Sequence, residues 1–169
     1  VGKNLIQQLQ GVTVVSRNPY TAKQRLQDAG LAHNLNEVIS WDNGLDSKNL
    51  ARTPPINSVI NLMGESIAEG RWTSAKKARI RSSRVEGTQR LVNSIIESAN
   101  IPEVFISASA IGLYGDTGET VVDENAPVGR GFLPEVCQEW ESATAPLEEI
   151  GVRVVHLRIG IVLGSNGGA

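Results

Sequence analysis

Short β-branched and aliphatic runs alternate along the chain with longer segments of helical spacing. The runs typical of strands are Val12–Ser16, Glu37–Trp41, Ser58–Met63, Val104–Ala108 and Val152–Val162. The segments typical of helices are Thr21–Ala29, ended by Gly30, Thr73–Ala99, and Pro134–Ile150, which Pro146 should kink or shorten. Strands that are apolar throughout and alternate with helices are typical of a parallel sheet covered on both faces. The pattern predicts an α/β fold with a doubly wound parallel sheet.

The longest helical segment carries a cation in its apolar stripe. Spacings of 4, 3, 4 and 4 place these residues on one face: Ile80, Arg84, Gly87, Leu91 and Ile95. Because this row should pack on the sheet, Arg84 needs an anionic partner, and a phosphate is one candidate. The neighbouring basic residues are interpreted as a solvated face: Arg71, Lys76, Lys77, Arg79 and Arg81.

The composition disfavours several classes of binding partner. The chain has 169 residues and a net charge of −2, so no global cationic field favours nucleic acid or an acidic membrane surface. No apolar run approaches the roughly 18 residues that suggest a membrane span. The single Cys137 excludes a disulfide framework and a multi-cysteine metal site, and no metal is expected. A small-molecule partner is expected, and a homodimer stays open.

Polar residues follow the first predicted strand at Ser16 and Arg17. In doubly wound sheets, ligands bind beyond the carboxyl ends of the strands. An acidic residue here would suit the ribose of NAD, whereas a hydroxyl and a guanidinium suit the 2′-phosphate of NADP. The alternative is an exposed turn arginine without a ligand.

A second polar cluster follows the fourth predicted strand, where Ser109 and Tyr114 lie in the segment Ser107–Asp116. Either hydroxyl could hold a substrate carbonyl. The alternative is that serine and glycine only end the strand while Tyr114 covers the sheet edge. Cys137 is interpreted as a buried helix residue because no local pattern places a histidine beside it.

Several stretches together resemble the atypical and extended short-chain dehydrogenase/reductases, in the epimerase-like group of the YfcH and SDR39U type. They run in order along nearly the whole chain: Val14–Pro19, Val59–Glu65, Arg71–Trp72, Ser83–Arg84, Ser107–Asp116, Val136–Cys137, Trp140–Glu141, Leu157–Gly164 and Gly167–Gly168. The resemblance implies a Rossmann-like fold and an NADP(H) site, with Ser16 and Arg17 at the 2′-phosphate. The other residues it places near the cofactor are Gly2, Asn61, Leu62, Gly64, Ser83, Arg84 and Ile161.

The resemblance also implies that residues 1–169 form only part of a dinucleotide-binding domain. The family begins with a strand and a glycine-rich turn, of which Gly2 resembles the last glycine, and it continues into a substrate-binding portion. Both are expected to be missing here. The expected location is the cytoplasm, or an organellar matrix or stroma after removal of a targeting segment.

The superfamily's proton-transfer pair, Tyr-x-x-x-Lys, is replaced. The best alignment places Leu133 and Cys137 at its two positions, and neither side chain can perform that chemistry. Ser109 remains, with Tyr114 as a substitute acid. The leading hypothesis is an NADP(H)-dependent oxidoreductase or epimerase acting on a carbonyl or sugar-like substrate. The alternative is a nucleotide-sensing or assembly module that retains the cofactor pocket without catalysis.

Overall fold

The computed structural model describes residues 2–41, 55–98 and 100–162. The chain divides into two compact units, residues 1–46 and residues 47–169. Within the described residues, each unit contains a parallel sheet, which confirms the α/β class. The sequence Asp42-Asn43-Gly44, which is typical of a turn after the second strand, lies outside the described residues.

The first unit is a β-α-β arrangement preceded by a short helix. Helix α1 (Gly2–Ile6) comes first, and strand β1 (Val12–Ser16) and strand β2 (Leu35–Ser40) pair in parallel. Helix α2 (Pro19–Asp28) lies between these strands in the chain and packs on both. The second predicted strand therefore begins two residues earlier than its pattern indicates.

Both ends of α2 follow from local chemistry. Asn18 caps the helix, because its side-chain oxygen accepts a hydrogen bond from the Thr21 N–H at 3.0 Å and Pro19 has the φ angle that a first turn needs. At the other end Gly30 adopts a φ of +73°, as a glycine after a helix should. The cap fixes the Ser16–Arg17 turn between β1 and α2.

The second unit has a three-stranded parallel sheet in the order β3-β4-β5. Its elements in chain order are β3 (Ser58–Asn61), α3 (Ser74–Ile96), β4 (Val104–Ala110), a 3₁₀ turn (Ile111–Tyr114), α4 (Phe132–Ser142), α5 (Ala145–Glu149) and β5 (Arg153–Ile159). The central strand is β4, whose Phe105 is fully buried.

The stripe predicted on α3 faces the interior. Ile80 is fully buried, Gly87, Leu91 and Ile95 are buried, and Arg84 is half-buried among them. The helix begins after Thr73, whose hydroxyl accepts a hydrogen bond from the Lys76 N–H at 3.2 Å. The interpretation of Lys76 as part of a solvated face is wrong, since only 5% of the residue is exposed.

The helix predicted over Pro134–Ile150 is divided in two. α4 ends at Ser142 and α5 begins at Ala145, with Pro146 in the first turn of α5, where its missing N–H matters least. The break predicted at Pro146 is thereby confirmed. Leu147 on α5 is fully buried, and its carbonyl accepts the Val152 N–H that leads into β5.

We expect Leu147→Ala to lower the free energy of unfolding by about 2–5 kcal/mol, because it opens a cavity in a fully buried position. Ile150→Ala is the control, since Ile150 is 44% exposed and should cost less than about 1 kcal/mol. Urea denaturation of the two variants measures both values. Equal losses would show that α5 does not form the packed contact described here.

Candidate functional site

The carboxyl ends of β3, β4 and β5 meet at one edge of the second unit's sheet. In the parallel register, Asn61 on β3 pairs with Ser107 on β4, and Ser109 pairs with Arg158 on β5. Polar side chains at adjacent strand ends are therefore neighbours. This edge corresponds to the position where parallel α/β sheets bind ligands.

Asn61 is buried and its side chain is fully engaged. Its amide donates to the Thr88 hydroxyl at 2.8 Å and to the Ser107 hydroxyl at 3.2 Å, and its side-chain oxygen accepts the Met63 N–H at 3.1 Å. Trp140 on α4 also donates to Thr88, at 3.0 Å. The network joins β3, β4, α3 and α4, and it fixes the direction in which the chain leaves β3.

The segment after β3 runs against α3, and Arg84 lies beneath it. The Arg84 guanidinium donates to the Glu65 carbonyl at 3.1 Å and to the Ile80 carbonyl at 3.3 Å. A Cβ at Gly64 would come within 3.0 Å of this guanidinium, so any larger residue there would require the Arg84 side chain to shift. Burial lowers the pKa of Arg84, although Cys137 and Glu65 oppose the shift. Leu62 and Gly64 are exposed beside it.

Glu65 is held by three further side chains of α3. Its N–H donates to the Ser83 hydroxyl at 2.9 Å, and its carboxylate accepts hydrogen bonds from Lys76 at 3.0 Å and Arg79 at 3.5 Å. The hydrogen bond and charge of Lys76 lower the pKa of Glu65. Ser83 and Arg84, both expected near a cofactor, thus lie at the segment that contains Leu62 and Gly64.

Glu141 on α4 connects the two other strand ends. Its carboxylate accepts a hydrogen bond from the Ser109 hydroxyl, with 2.5 Å between the two oxygens. It also accepts two hydrogen bonds from Arg158, each at 3.0 Å. Burial raises the pKa of Glu141, but the hydrogen bonds from Arg158 and Ser109 outweigh burial and the net pKa is lowered. Glu141 is therefore an ionised acceptor.

Arg158 extends this group of contacts to Tyr114 and to the loop that follows it. One guanidinium nitrogen donates to the Tyr114 hydroxyl at 2.8 Å and to the Glu124 carbonyl at 2.8 Å. The hydrogen bonds to Glu141 and Tyr114 raise the pKa of Arg158. The structure thus brings Ser109 and Tyr114, both predicted site residues, into one hydrogen-bonded group.

The positions aligned with the Tyr-Lys pair lie on α4, against the 3₁₀ turn. A Cβ at Gly112 would contact the Leu133 Cβ at 3.8 Å and the Cys137 sulfur at 3.9 Å. Burial raises the pKa of Cys137, although the nearby Arg84 charge opposes the shift. The thiol is buried and mainly protonated, as the sequence interpretation of Cys137 expects.

Ser16 and Arg17 lie at the end of β1 in the first unit. The Ser16 hydroxyl accepts the Asn18 N–H at 3.2 Å and donates to its carbonyl at 3.3 Å. Arg17 is exposed, and within the described part of the chain it makes no hydrogen bond or ion pair. Its guanidinium is available to an anion. Gly2 is in α1, and Ile161 follows β5 with 76% of its surface exposed.

Glu141, Arg158, Glu65 and Lys76 were not predicted as site residues. A signal existed for Arg158, because it and His156 interrupt an apolar strand at a spacing of two and therefore share one face. Glu65 ends the motif Val59–Glu65, which follows the third predicted strand, whereas Lys76 gave no such signal, since a charged side chain near a helix start is usually solvated.

Within residues 2–41, 55–98 and 100–162, every helix is too short or too polar to span a membrane. No group of three or more His, Cys, Asp or Glu side chains in these ranges is placed to hold a metal ion.

Two similar proteins are both named epimerase family proteins. The chain is 41% identical to the Mycobacterium leprae epimerase family protein ML0860 over 132 residues, which cover 78% of this chain and 42% of that protein. It is 35% identical over 178 residues to the chloroplastic epimerase family protein SDR39U1 homolog of Arabidopsis thaliana, covering 100% of this chain and 48% of that protein. The chain spans less than half the length of these two relatives. No family model matches it.

Solved structures agree with this relationship. The human epimerase family protein SDR39U1 (isoform 2), crystallised with NADPH, has a TM-score of 0.70 and 26% identity over 94% of this chain and 57% of that one. A Corynebacterium glutamicum nucleoside-diphosphate sugar epimerase has a TM-score of 0.66 and 31% identity over 98% of this chain and 38% of that one.

A Bacillus cereus UDP-glucuronic acid 4-epimerase, solved in complex with NAD, shares the fold. It has a TM-score of 0.75 at 18% identity, covering 99% of this chain and 56% of that one. The sequence relatives and these structures agree with the resemblance drawn from the motifs, and the chain belongs to the SDR39U1-type epimerase family of atypical short-chain dehydrogenase/reductases.

Proposed function

We propose that this chain contributes the NADP(H)-binding part of an oxidoreductase that acts on a carbonyl or sugar-like substrate. The observation that carries the proposal is Arg17, whose exposed guanidinium follows β1 without a partner among the described residues. The NADPH-bound human SDR39U1 structure, to which this chain is similar, supports the same cofactor. An arginine here matches the 2′-phosphate that distinguishes NADP from NAD.

Each unit, taken by itself, offers groups that suit one part of a dinucleotide. Arg17, which has no partner among the residues that the structure describes, offers a fork of donors, and Ser16 beside it is a second proposed contact to the 2′-phosphate. In the second unit, exposed backbone at Leu62 and Gly64 offers a close approach without a side chain at Gly64. The remaining proposed contacts are Gly2, Asn61, Ser83, Arg84 and Ile161.

The catalytic part of the proposal rests on hydrogen-bond direction. The bound cofactor would supply or accept a hydride. Ser109 donates its only proton to Glu141, so its oxygen offers lone pairs alone. Tyr114 accepts a hydrogen bond from Arg158, which leaves its own proton free to be donated. Tyr114 is therefore proposed as the donor to a substrate carbonyl, and Ser109 as an acceptor for a substrate hydroxyl.

A second candidate function is a nucleotide-sensing or assembly module without catalysis. The observation that favours it is the apolar pair Leu133 and Cys137 at the start of α4, where the superfamily's active members carry tyrosine and lysine. The thiol of Cys137 is buried with a raised pKa, so it supplies neither a cation nor an anion there.

Binding and turnover assays of the full-length protein separate the two candidates. NADPH and NADH affinities are measured first, and NADPH absorbance is then followed with a panel of aldehydes, ketones and nucleotide sugars. Binding with substrate-dependent oxidation supports the enzyme, whereas tight binding without oxidation across the panel supports the module. Failure to bind either cofactor would overturn both. A small-molecule substrate, a homodimer and a cytoplasmic or organellar location remain part of this proposal.

Arg17→Ala should weaken NADPH binding roughly tenfold to a hundredfold, the scale of a lost hydrogen bond to a charged group, and should change NADH binding little. Isothermal titration with each cofactor measures the two affinities. Equal losses for NADPH and NADH would show that Arg17 does not contact the 2′-phosphate.

Arg84→Leu should leave the fold intact and reduce the thermal stabilisation that NADPH gives, because Arg84 is half-buried beneath Gly64. Arg90→Leu is the matched control on the same helix, since the Arg90 side chain is 50% exposed and forms an ion pair with Glu86. Melting curves with and without NADPH provide the measurement. A normal ligand-induced shift in the Arg84 variant would remove Arg84 from the site.

Tyr114→Phe and Ser109→Ala should abolish single-turnover oxidation of NADPH while NADPH binding is retained, because each removes one hydroxyl at the strand end. Cys137→Ser should leave both properties largely unchanged. Stopped-flow absorbance with an active substrate from the panel is the measurement. Loss of turnover in the cysteine variant alone would indicate thiol chemistry and contradict the assignment.

A further inference from the structure

The ion pair between Glu65 and Lys76 is unusual in its burial. The Lys76 ammonium lies 3.0 Å from the Glu65 carboxylate, and only 6% of the Lys76 side chain is exposed. Arg79, the other cation at this carboxylate, lies 3.5 Å away with 59% of its side chain exposed. Lys76 therefore gives up its hydration to make this contact, whereas Arg79 does not.

Stability alone does not account for a buried lysine at this position. Removing an ammonium from water is unfavourable, and replacing buried ion pairs with apolar groups is often neutral or stabilising. Lys76 is also the third residue after the Thr73 cap of α3, where the helix dipole disfavours a positive charge. The loss of hydration and the helix dipole both disfavour a lysine at this position, which points to a function for the contact with Glu65.

The contact completes a clamp on Glu65, which we define as Lys76, Ser83 and Arg84. Lys76 binds the Glu65 carboxylate, Ser83 accepts the Glu65 N–H, and Arg84 donates to the Glu65 carbonyl. Each polar group of Glu65 is thus held by α3. The residues just before Glu65 are Leu62, which is 38% exposed, and the exposed Gly64.

We propose that Lys76 and Glu65 are positioning residues for the dinucleotide: their ion pair, with the rest of the clamp, fixes the Leu62–Gly64 backbone in the geometry that binds NADP(H). The inference rests on the proposed function, in which Leu62 and Gly64 contact the cofactor. Neither Lys76 nor Glu65 touches the cofactor in it. Their contribution is to order the segment before the ligand arrives, so that binding does not bear this entropy cost.

A purely structural role predicts different behaviour. If the pair only stabilised the fold, its removal would lower the melting temperature, and NADPH affinity would fall only through unfolding. For a positioning role, affinity falls also in a variant whose stability stays constant or rises, which is expected when Lys76→Met and Glu65→Gln are combined, because no buried charge is then left without its partner. Affinity and stability therefore respond differently in the two cases.

The experiment compares Lys76→Met, the double variant Lys76→Met with Glu65→Gln, and Lys77→Met in the full-length protein. Lys77→Met is the matched control, because Lys77 is the adjacent residue, is exposed and has its ammonium near the Phe132 ring. NADPH affinity is measured by fluorescence titration, and melting temperature is measured without ligand.

We expect Lys76→Met and the double variant to bind NADPH about tenfold more weakly than wild type. The two losses should be similar, because both variants lack the same ion pair. The melting temperature of the double variant should not fall, and Lys77→Met should match wild type in both measurements. Lys76→Met leaves Glu65 without its buried partner. If this single variant does not fold, the double variant still tests the inference.

Three results would overturn the inference. Wild-type affinity in both Lys76 variants would show that the ion pair is irrelevant to binding. A loss of affinity that accompanies a lower melting temperature in the double variant would assign the pair to folding, and an equal loss in Lys77→Met would assign the effect to net charge. Failure of the wild-type protein to bind NADPH is distinct from these, since it refutes the proposed function and the inference falls with it.

Discussion

The Glu141 carboxylate holds together the ends of β4 and β5, and the hydrogen-bonding arrangement of the candidate site depends on it. Parallel strands bring their last residues to one edge, and polar groups buried there need partners. Glu141 supplies one ionised acceptor for Ser109 on β4 and for Arg158 on β5. Only 13% of its side chain is exposed, so its removal would leave the Arg158 charge without its nearest counterion.

The same contact decides what the neighbouring hydroxyls can do. A serine hydroxyl has one proton, and that of Ser109 is committed to Glu141. Arg158 has no acceptor, so the Tyr114 oxygen must accept from it and the phenol keeps its proton for another partner. Two residues that the sequence presents as equivalent hydroxyls therefore differ in hydrogen-bonding direction. Their roles in the proposed chemistry follow from Arg158 and Glu141.

Sequence reasoning predicted features that depend on local spacing. The buried stripe of α3, the cap at Gly30 and the break at Pro146 were all predicted, because each depends on residues within one or two helical turns. The parallel pairing also followed, since apolar strands alternating with helices have few other arrangements.

Contacts between distant residues were not predictable in the same way. Glu141 and Ser109 are 32 positions apart, and Glu65 and Lys76 are 11 positions apart with a loop between them. Lys76 was assigned to a solvated face by its residue type, and only the course of the chain after β3 reveals that Glu65 covers it. Which charged groups pair with each other depends on how the chain packs, and the periodicity of the sequence does not predict it.

The face of α4 shows how the site departs from the superfamily's chemistry. Leu133, Cys137 and Glu141 follow one another at spacings of four, so they lie along one side of the helix. The first two contact the 3₁₀ turn at Gly112, and the third binds Ser109. On this side of α4, the first two turns therefore carry the uncharged Leu133 and Cys137, and the third turn carries the charged Glu141. In the proposed function, proton transfer at these strand ends is assigned to the Tyr114–Arg158–Glu141–Ser109 group, because the start of α4 supplies only Leu133 and the buried Cys137 thiol, whose pKa is raised.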